Sequence, residues 1–315
     1  MDYITQRAVI GRYYRTLSQS VGAEWVPLIS NMFDSDQDLE TYGWLGQAPA
    51  FREWIGGRNA KKLREDAFQI RNKHFEATLD ILAKDLRRDK TGQAMARIDD
   101  LAMRDASHWA SLLSTLIAAG AATACYDGQY FFDTDHSEGS SGAQSNSISI
   151  DISELPVATN GITTAPSPAE FQLCIAQAIA AIVGFKDDQG EPMNENARSF
   201  LLYVPVSLWS TALTAVATPA QVAETQTALQ GLKQGGFNIG VAVDPRSAWT
   251  ANFAVFRTDS AVKSFIRQEE QGSSLKMKWL DSEYCFDNDA VQIGVDAWRN
   301  VGYGMWQNSC LVTMI

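Results

Sequence analysis

The chain has 315 residues, 45% hydrophobic and 20% charged, so it must bury a core and cannot be wholly disordered. A formal net charge of −11 excludes a general nucleic-acid binder. No apolar run is long enough to cross a bilayer: the longest, Leu112 to Ala124, is broken by Ser114, Thr115, Gly120 and Thr123.

The N-terminal stretch MDYITQRAVIGRYYR lacks the apolar region of a signal peptide. Residues 1–20 read as a short amphipathic helix, with Ile4, Ala8, Val9 and Ile10 at helical spacing. An acidic stretch follows to about Tyr42. Residues 42–81 then carry aromatics, a glycine-rich basic turn and a strand of strict alternation. In that strand Phe75, Ala77, Leu79 and Ile81 alternate with His74, Glu76, Thr78 and Asp80, which predicts one buried face. Between them, Arg58, Lys61, Lys62 and Arg64 sit in a segment with almost nothing to pack, so it lies in solvent or on a neighbouring molecule.

Residues 84–119 predict one long helix with a single apolar stripe through Met95, Ile98, Ala102, Ala106, Trp109, Leu112, Leu113 and Leu116. Gly92 leaves 93–119 as its firm part, and Gly120 stands where a C-terminal cap belongs. CYDGQYFFDTDH (125–136) reads as a turn and short strand, and the polar 137–149 as a mobile or disordered loop. Ser167-Pro168-Ala169-Glu170 is a capping box with proline at the first helical position, opening a helix that ends near Gly184. Phe200–Val204 and Phe237–Val243 read as strands. Ser207 and Thr218-Pro219-Ala220-Gln221 read as further helix starts. After about Asn252 the character turns to β, with strands expected at 253–257, 276–280 and 291–303.

Catalytic motifs are lacking: there is no GxSxG, HExxH, Walker A or GxGxxG pattern. The one polar cluster, Asp133, Asp135 and His136, has the donors for a metal but the spacing of a turn, where such residues hydrogen-bond locally. Cys125, Cys174, Cys285 and Cys310 are far apart and read as buried thiols of a reducing compartment, with no zinc site or disulfide framework. No catalytic residue, cofactor or metal site is assigned. Nine tryptophans exceed the needs of one core and hint at an assembly surface.

The segments TYGWLGQAPAFREWIGGR, NKHFEATLDI, CYDGQYFFDTDH and VQIGVDAWRNVGYGMWQ resemble the major head subunits of Mu-like phages, from residue 41 to near the C-terminus. The resemblance implies an α+β, Hong Kong 97-type phage capsid fold. Residues 1–40 would be an N-terminal arm, 41–82 an extended loop, and 83–159 a peripheral domain with spine helix 84–119. Residues 160–250 would be mostly an axial domain, and 251–315 closing strands of the peripheral domain. It also implies self-assembly into hexamers and pentamers of an icosahedral shell around double-stranded DNA, in a virion assembled in the host cytoplasm. Implied partners are a separate scaffolding or protease protein, a portal, decoration proteins and packaged double-stranded DNA on the inner face, with no membrane. Candidate inter-subunit contacts are Trp44, Phe51, Trp54, Arg58, Lys61, Lys62 and Arg64. No lysine–asparagine crosslink is expected from Asn59, Lys61 or Lys62. Two other readings remain open: the shell of an encapsulin-like nanocompartment, and a metal-dependent enzyme using Asp133, Asp135 and His136.

Overall fold

Alternating and striped apolar residues sort the described chain into two helix-covered sheets, with a separate two-stranded sheet beside them. The computed structural model describes residues 5–20, 22–42, 68–88, 92–157, 159–217, 229, 232 and 235–315. In chain order come α1 (Gln6–Gln19), α2 (Val26–Ile29), β1 (Ser30–Asp34), β2 (Leu39–Tyr42), β3 (Phe68–Arg71), β4 (Lys73–Leu82), α3 (Ala83–Arg88) and α4 (Gln93–Ala118). Then follow β5 (Ser147–Ile150), α5 (Pro168–Gly184), β6 (Ser199–Pro205), α6 (Trp209–Ala217), β7 (Asn238–Asp244) and β8 (Asn252–Arg257). The chain closes with β9 (Phe265–Lys278), α7 (Glu283–Asn288), β10 (Ala290–Tyr303) and β11 (Ser309–Met314).

The first sheet runs β1-β9-β10-β4. β1 is parallel to β9, and the other pairs are antiparallel. Its covered face, Ile81 with Val291, Ile293 and Val295, packs on Ile98, Leu101 and Ala102 of α4, on Leu86 of α3 and on Val9 and Tyr13 of α1. The alternation of β4 is real, but its buried face is incomplete. Ile81 is buried, Phe75 and Leu79 are half-buried, and Ala77 is exposed. β4 is an edge strand, and the helices cover only its end. The long helix starts at Gln93, behind Gly92 at φ 73, and the preceding turns form the separate α3.

The second sheet runs β5-β11-β8-β6-β7. α5 covers it with Phe171, Cys174, Ile175, Ala178, Ile179 and Ile182, all buried. The capping box forms as the sequence implies: Ser167 Oγ accepts from Glu170 N, and the Glu170 carboxylate accepts from Ser167 N at 2.6 Å.

Several expectations change. β8 and β11 pair with each other and with β6 and β5, so the strands of 251–315 are shared between the two sheets. Only β9 and β10 complete the first sheet; the β8 and β11 runs are apolar on both sides, as a central strand requires. β9 starts at Phe265, earlier than its polar middle suggested. Residues 137–149 are not a loose loop: Glu138, Ser141 and Asn146 are buried and hydrogen-bonded, and Ser147–Ile150 is a strand parallel to β11. Residues 125–136 form turns rather than a strand. Ser207 lies inside a 3-10 turn before α6 and caps nothing. The helix start at Thr218 lies outside the described residues.

Candidate functional site

The root of the central insertion is built in detail. β2 and β3 pair from Leu39↔Arg71 to Tyr42↔Phe68, so the chain leaves and re-enters at adjacent positions. A buried amide, Gln268 of β9, ties this root down. Tyr42 Oη donates to Gln268 Oε1 at 2.7 Å, and Gln268 Nε2 donates to Asn72 Oδ1 at 2.8 Å and to the Ile70 carbonyl at 3.2 Å. Asn72 Nδ2 donates in turn to Ser35 Oγ and the Gln37 carbonyl. Burial pushes the Tyr42 phenol up to about 12, so it stays a donor. Gly302 of β10 lies beneath: a Cβ there would sit 2.3 Å from Ile70 Cδ1 and 3.0 Å from the Phe68 ring. The hairpin root therefore rests flat on the sheet. Trp44, Phe51, Trp54, Arg58, Lys61, Lys62 and Arg64, with Asn59, lie in residues 43–67, outside the described residues.

A second network, exposed at Arg12 and buried at Arg299, fastens α1 to α4. Arg12 grips Asp99 with two bonds of 2.7 and 2.6 Å, and Thr16 Oγ1 donates to the same carboxylate. One turn on, Tyr13 Oη donates to Asp105 Oδ2 at 2.6 Å, and Arg299 of β10 binds the other oxygen. Arg299 and Asp105 are both nearly inaccessible. Burial alone would raise Asp105, but bonds from Ser273 and Tyr13 and the charge of Arg299 outweigh it and hold the carboxyl below its ordinary range. The guanidinium of Arg299 also lies 5.2 Å from the Trp109 ring.

The polar cluster of the sequence resolves differently from its spacing. His136 is fully buried, and its partner is Asp127, not Asp133 or Asp135. Nδ1 lies 2.7 Å from Asp127 Oδ2, and Nε2 lies 3.2 Å from Asn146 Oδ1. The ring stacks on Trp306 at 4.0 Å and 9°. Cys125 Sγ donates to Asp127 Oδ1 at 2.9 Å. Asp133 accepts from the backbone of Tyr130 and Thr134, and Asp135 is exposed. Thus the metal-enzyme arrangement of Asp133, Asp135 and His136 does not form.

Cys125, Asp127 and His136 do bring their donor atoms within 4.8 Å of one another. Each is already committed to a hydrogen bond. Burial, then the neighbouring carboxylate, pushes the Cys125 thiol far up, so it is a neutral donor rather than a thiolate. The network instead joins the end of α4 to the turn before β11, where Tyr126 Oη also bonds Gln307. Trp306 is far away in sequence, and no local signal could have paired it with His136. All four cysteines are buried free thiols, and no described helix is long and apolar enough to cross a membrane.

Three comparisons bear on this architecture. A family model described as the Mu-like prophage major head subunit gpT matches residues 6–156 and 238–313. The Mu-like prophage FluMu major head subunit of Haemophilus influenzae is 34% identical over 137 residues, 44% of this chain and 44% of that protein. The major capsid protein of Escherichia phage Mu is 32% identical over 152 residues, 46% of this chain and 50% of that protein. The chain thus spans about half the length of the curated relatives it matches. Among solved structures, the procapsid of bacteriophage JBD30 covers 98% of this chain and 76% of its own, at TM-score 0.54 and 21% identity. The capsid of the cyanophage P-SCSP1u covers 91% and 86%, at TM-score 0.54 and 10% identity. At such identities the likeness is one of fold, and the α+β fold is the Hong Kong 97-type capsid fold.

Proposed function

The chain belongs to the Mu-like prophage major head subunit family, and from that premise we propose that it is a shell subunit that assembles into the hexamers and pentamers of an icosahedral head enclosing double-stranded DNA. A closed shell requires one surface to be reused by rotation many times. The observation that carries the reading is the pinned root of β2 and β3. A buried hydrogen-bonded base of this kind holds the insertion between Tyr42 and Phe68 at a fixed point on the sheet.

In this reading residues 1–40 are the arm, 41–82 the extended loop and 83–159 the peripheral region around α4. Residues 160–250 are mostly axial, and the strands of 251–315 are divided between the two. The part of that loop between Tyr42 and Phe68 lies across the next subunit of the ring, while β4 stays in the first sheet of its own chain. Arg58, Lys61, Lys62 and Arg64 meet acidic surface there, at about 0.2–1 kcal/mol for each exposed pair. Such charges set register. Trp44, Phe51 and Trp54 supply the apolar contribution, at about 25 cal/mol per Å² buried. Individually weak contacts let a misplaced subunit leave before it is trapped. A separate scaffolding or protease protein, a portal and decoration proteins would complete the particle, which forms in the host cytoplasm.

Changing Arg58, Lys61, Lys62 and Arg64 together to glutamate tests this. The subunit should keep its circular dichroism spectrum and lose closed shells by electron microscopy; particles of normal size would overturn the loop contact.

A further inference from the structure

The helix-covered face of the first sheet is filled at one end and open further along. Leu79 and Ile81 of β4 lie opposite Ile293 and Val291 of β10, and these two rows meet α4 in a packed cluster. The next two rows are built differently. Ala77 lies opposite Val295 and Ala297 opposite Phe75, so each row holds one alanine. The facing residues of α4 are Leu101, Arg104, Asp105 and His108, spaced along one side of the helix. Alanines leave unfilled what the larger side chains fill one row away, and a slot of about 220 Å³ lies between α4 and the two strands. Phe75 borders it and meets the His108 ring edge-on, at 4.6 Å and 72°.

The polar groups of the slot differ in what they have left to offer. Asp105 is spent, because it accepts from Tyr13 and from Arg299. Arg104 and Glu76 stand exposed; Arg104 donates to Asp100, and Glu76 accepts from Thr78. Arg299 is only 4% exposed, yet its Nε–H has no acceptor among the described residues. A buried donor in that state is rare and costly. His108 is half-buried. Burial, then the charge of Arg299, lowers its pKa. Near pH 7 the imidazole is therefore neutral, with one acceptor nitrogen and one N–H.

We infer that this slot is a binding site for one phenolic ring, seated between α4, β4 and β10 with its hydroxyl at His108. The site goes beyond the role of the chain in a shell and does not depend on it. The volume suits a single ring, since an apolar cavity of about 150 Å³ holds benzene. Ala77, Leu101, Val295 and Ala297 give that ring an apolar floor. A hydroxyl both donates and accepts, which matches an acceptor nitrogen on His108 and an unspent donor on Arg299. A charged ligand is disfavoured: a carboxylate would meet Asp105 and Glu76, and an ammonium would meet Arg104 and Arg299. The same ring can come as a free phenol or as a tyrosine side chain.

Saturation-transfer NMR of the full-length protein, applicable to subunits and to large shells, tests this with p-cresol as the probe. Its dissociation constant should be about 1 mM or tighter, as a ligand of about eight non-hydrogen atoms allows. Toluene, which lacks the hydroxyl, and p-toluate, which carries a charge, should each bind about tenfold more weakly. Ala77→Leu adds carbons at an exposed position on the slot and should weaken p-cresol at least about tenfold. His108→Phe keeps a ring and removes the nitrogens, and should bring p-cresol down to the level of toluene. Trp209→Ala, at an exposed aromatic on α6, should match wild type. Thermal melting of each variant separates lost binding from lost fold, and His108→Phe decides the matter if Ala77→Leu misfolds. N-acetyltyrosinamide separates the two sources. Competition with p-cresol assigns the slot to a tyrosine side chain, and p-cresol binding without competition assigns it to a free phenol. No transfer to p-cresol at about 5 mM, undiminished binding in a folded Ala77→Leu or His108→Phe, or p-toluate binding as tightly as p-cresol would each overturn the site.

Discussion

His136 illustrates how one residue can be chosen for packing while looking chemical. Its imidazole is bonded to Asp127, sits beside Asn146 and lies flat on Trp306, without solvent contact. His136→Ala would leave the Asp127 carboxylate buried with one donor fewer and a void against the indole. The expected cost is about 2–4 kcal/mol in denaturant melts; a loss below about 0.5 kcal/mol would refute this assignment. Asp105 gives a pH signature. Its folded carboxyl is held below the ordinary range, so its contribution is full above about 4 and disappears as pH falls through the folded value. Asp127 has the same sign: burial would raise it, and bonds from His136 and Cys125 lower it. The stability these two carboxylates contribute should therefore be lost below about pH 4. The acid-side fall should be shallower in Asp105→Asn, and an unchanged acid profile would contradict this. The sequence exposed the donor types of this cluster but not their pairing. Asp127 comes from a neighbouring turn and Trp306 from a distant one, and only the tertiary fold unites them.

At the scale of elements, legibility followed locality. The α5 start was readable because the Ser167, Pro168 and Glu170 signals all lie within one helical turn. Ser167→Ala should cost about 1 kcal/mol, measured by chemical denaturation; no change would mean the box is dispensable. The alternation of β4 was readable, but its edge position was not, because strand order depends on β10, which follows it by some two hundred residues. Likewise β5 hid in a polar segment, since its hydrogen-bond partner β11 lies at the other end of the chain. Gly304, after β10, marks another nonlocal demand. A Cβ there would lie 2.5 Å from the Lys263 carbonyl oxygen, which is backbone and cannot swing away. Gly304→Ala should lower the melting temperature by several degrees, more than Gly128→Ala at a site with nothing within 4 Å, although Gly128 has φ 89. The reverse ranking would contradict the packing argument.

For the whole molecule, the family was legible from scattered segments, while the sharing of closing strands between two sheets was not. That sharing follows from burial: β8 and β11 are apolar on both sides and need a central place in a covered sheet. It also ties the two sheets together covalently at Tyr303–Ser309, beside the Trp306 stack. The most direct test is electron cryomicroscopy of the expressed protein at side-chain resolution. Closed shells, with residues 43–67 of each copy laid across an adjoining copy, are the predicted result. Isolated subunits, or shells in which that segment touches only its own chain, would contradict the account.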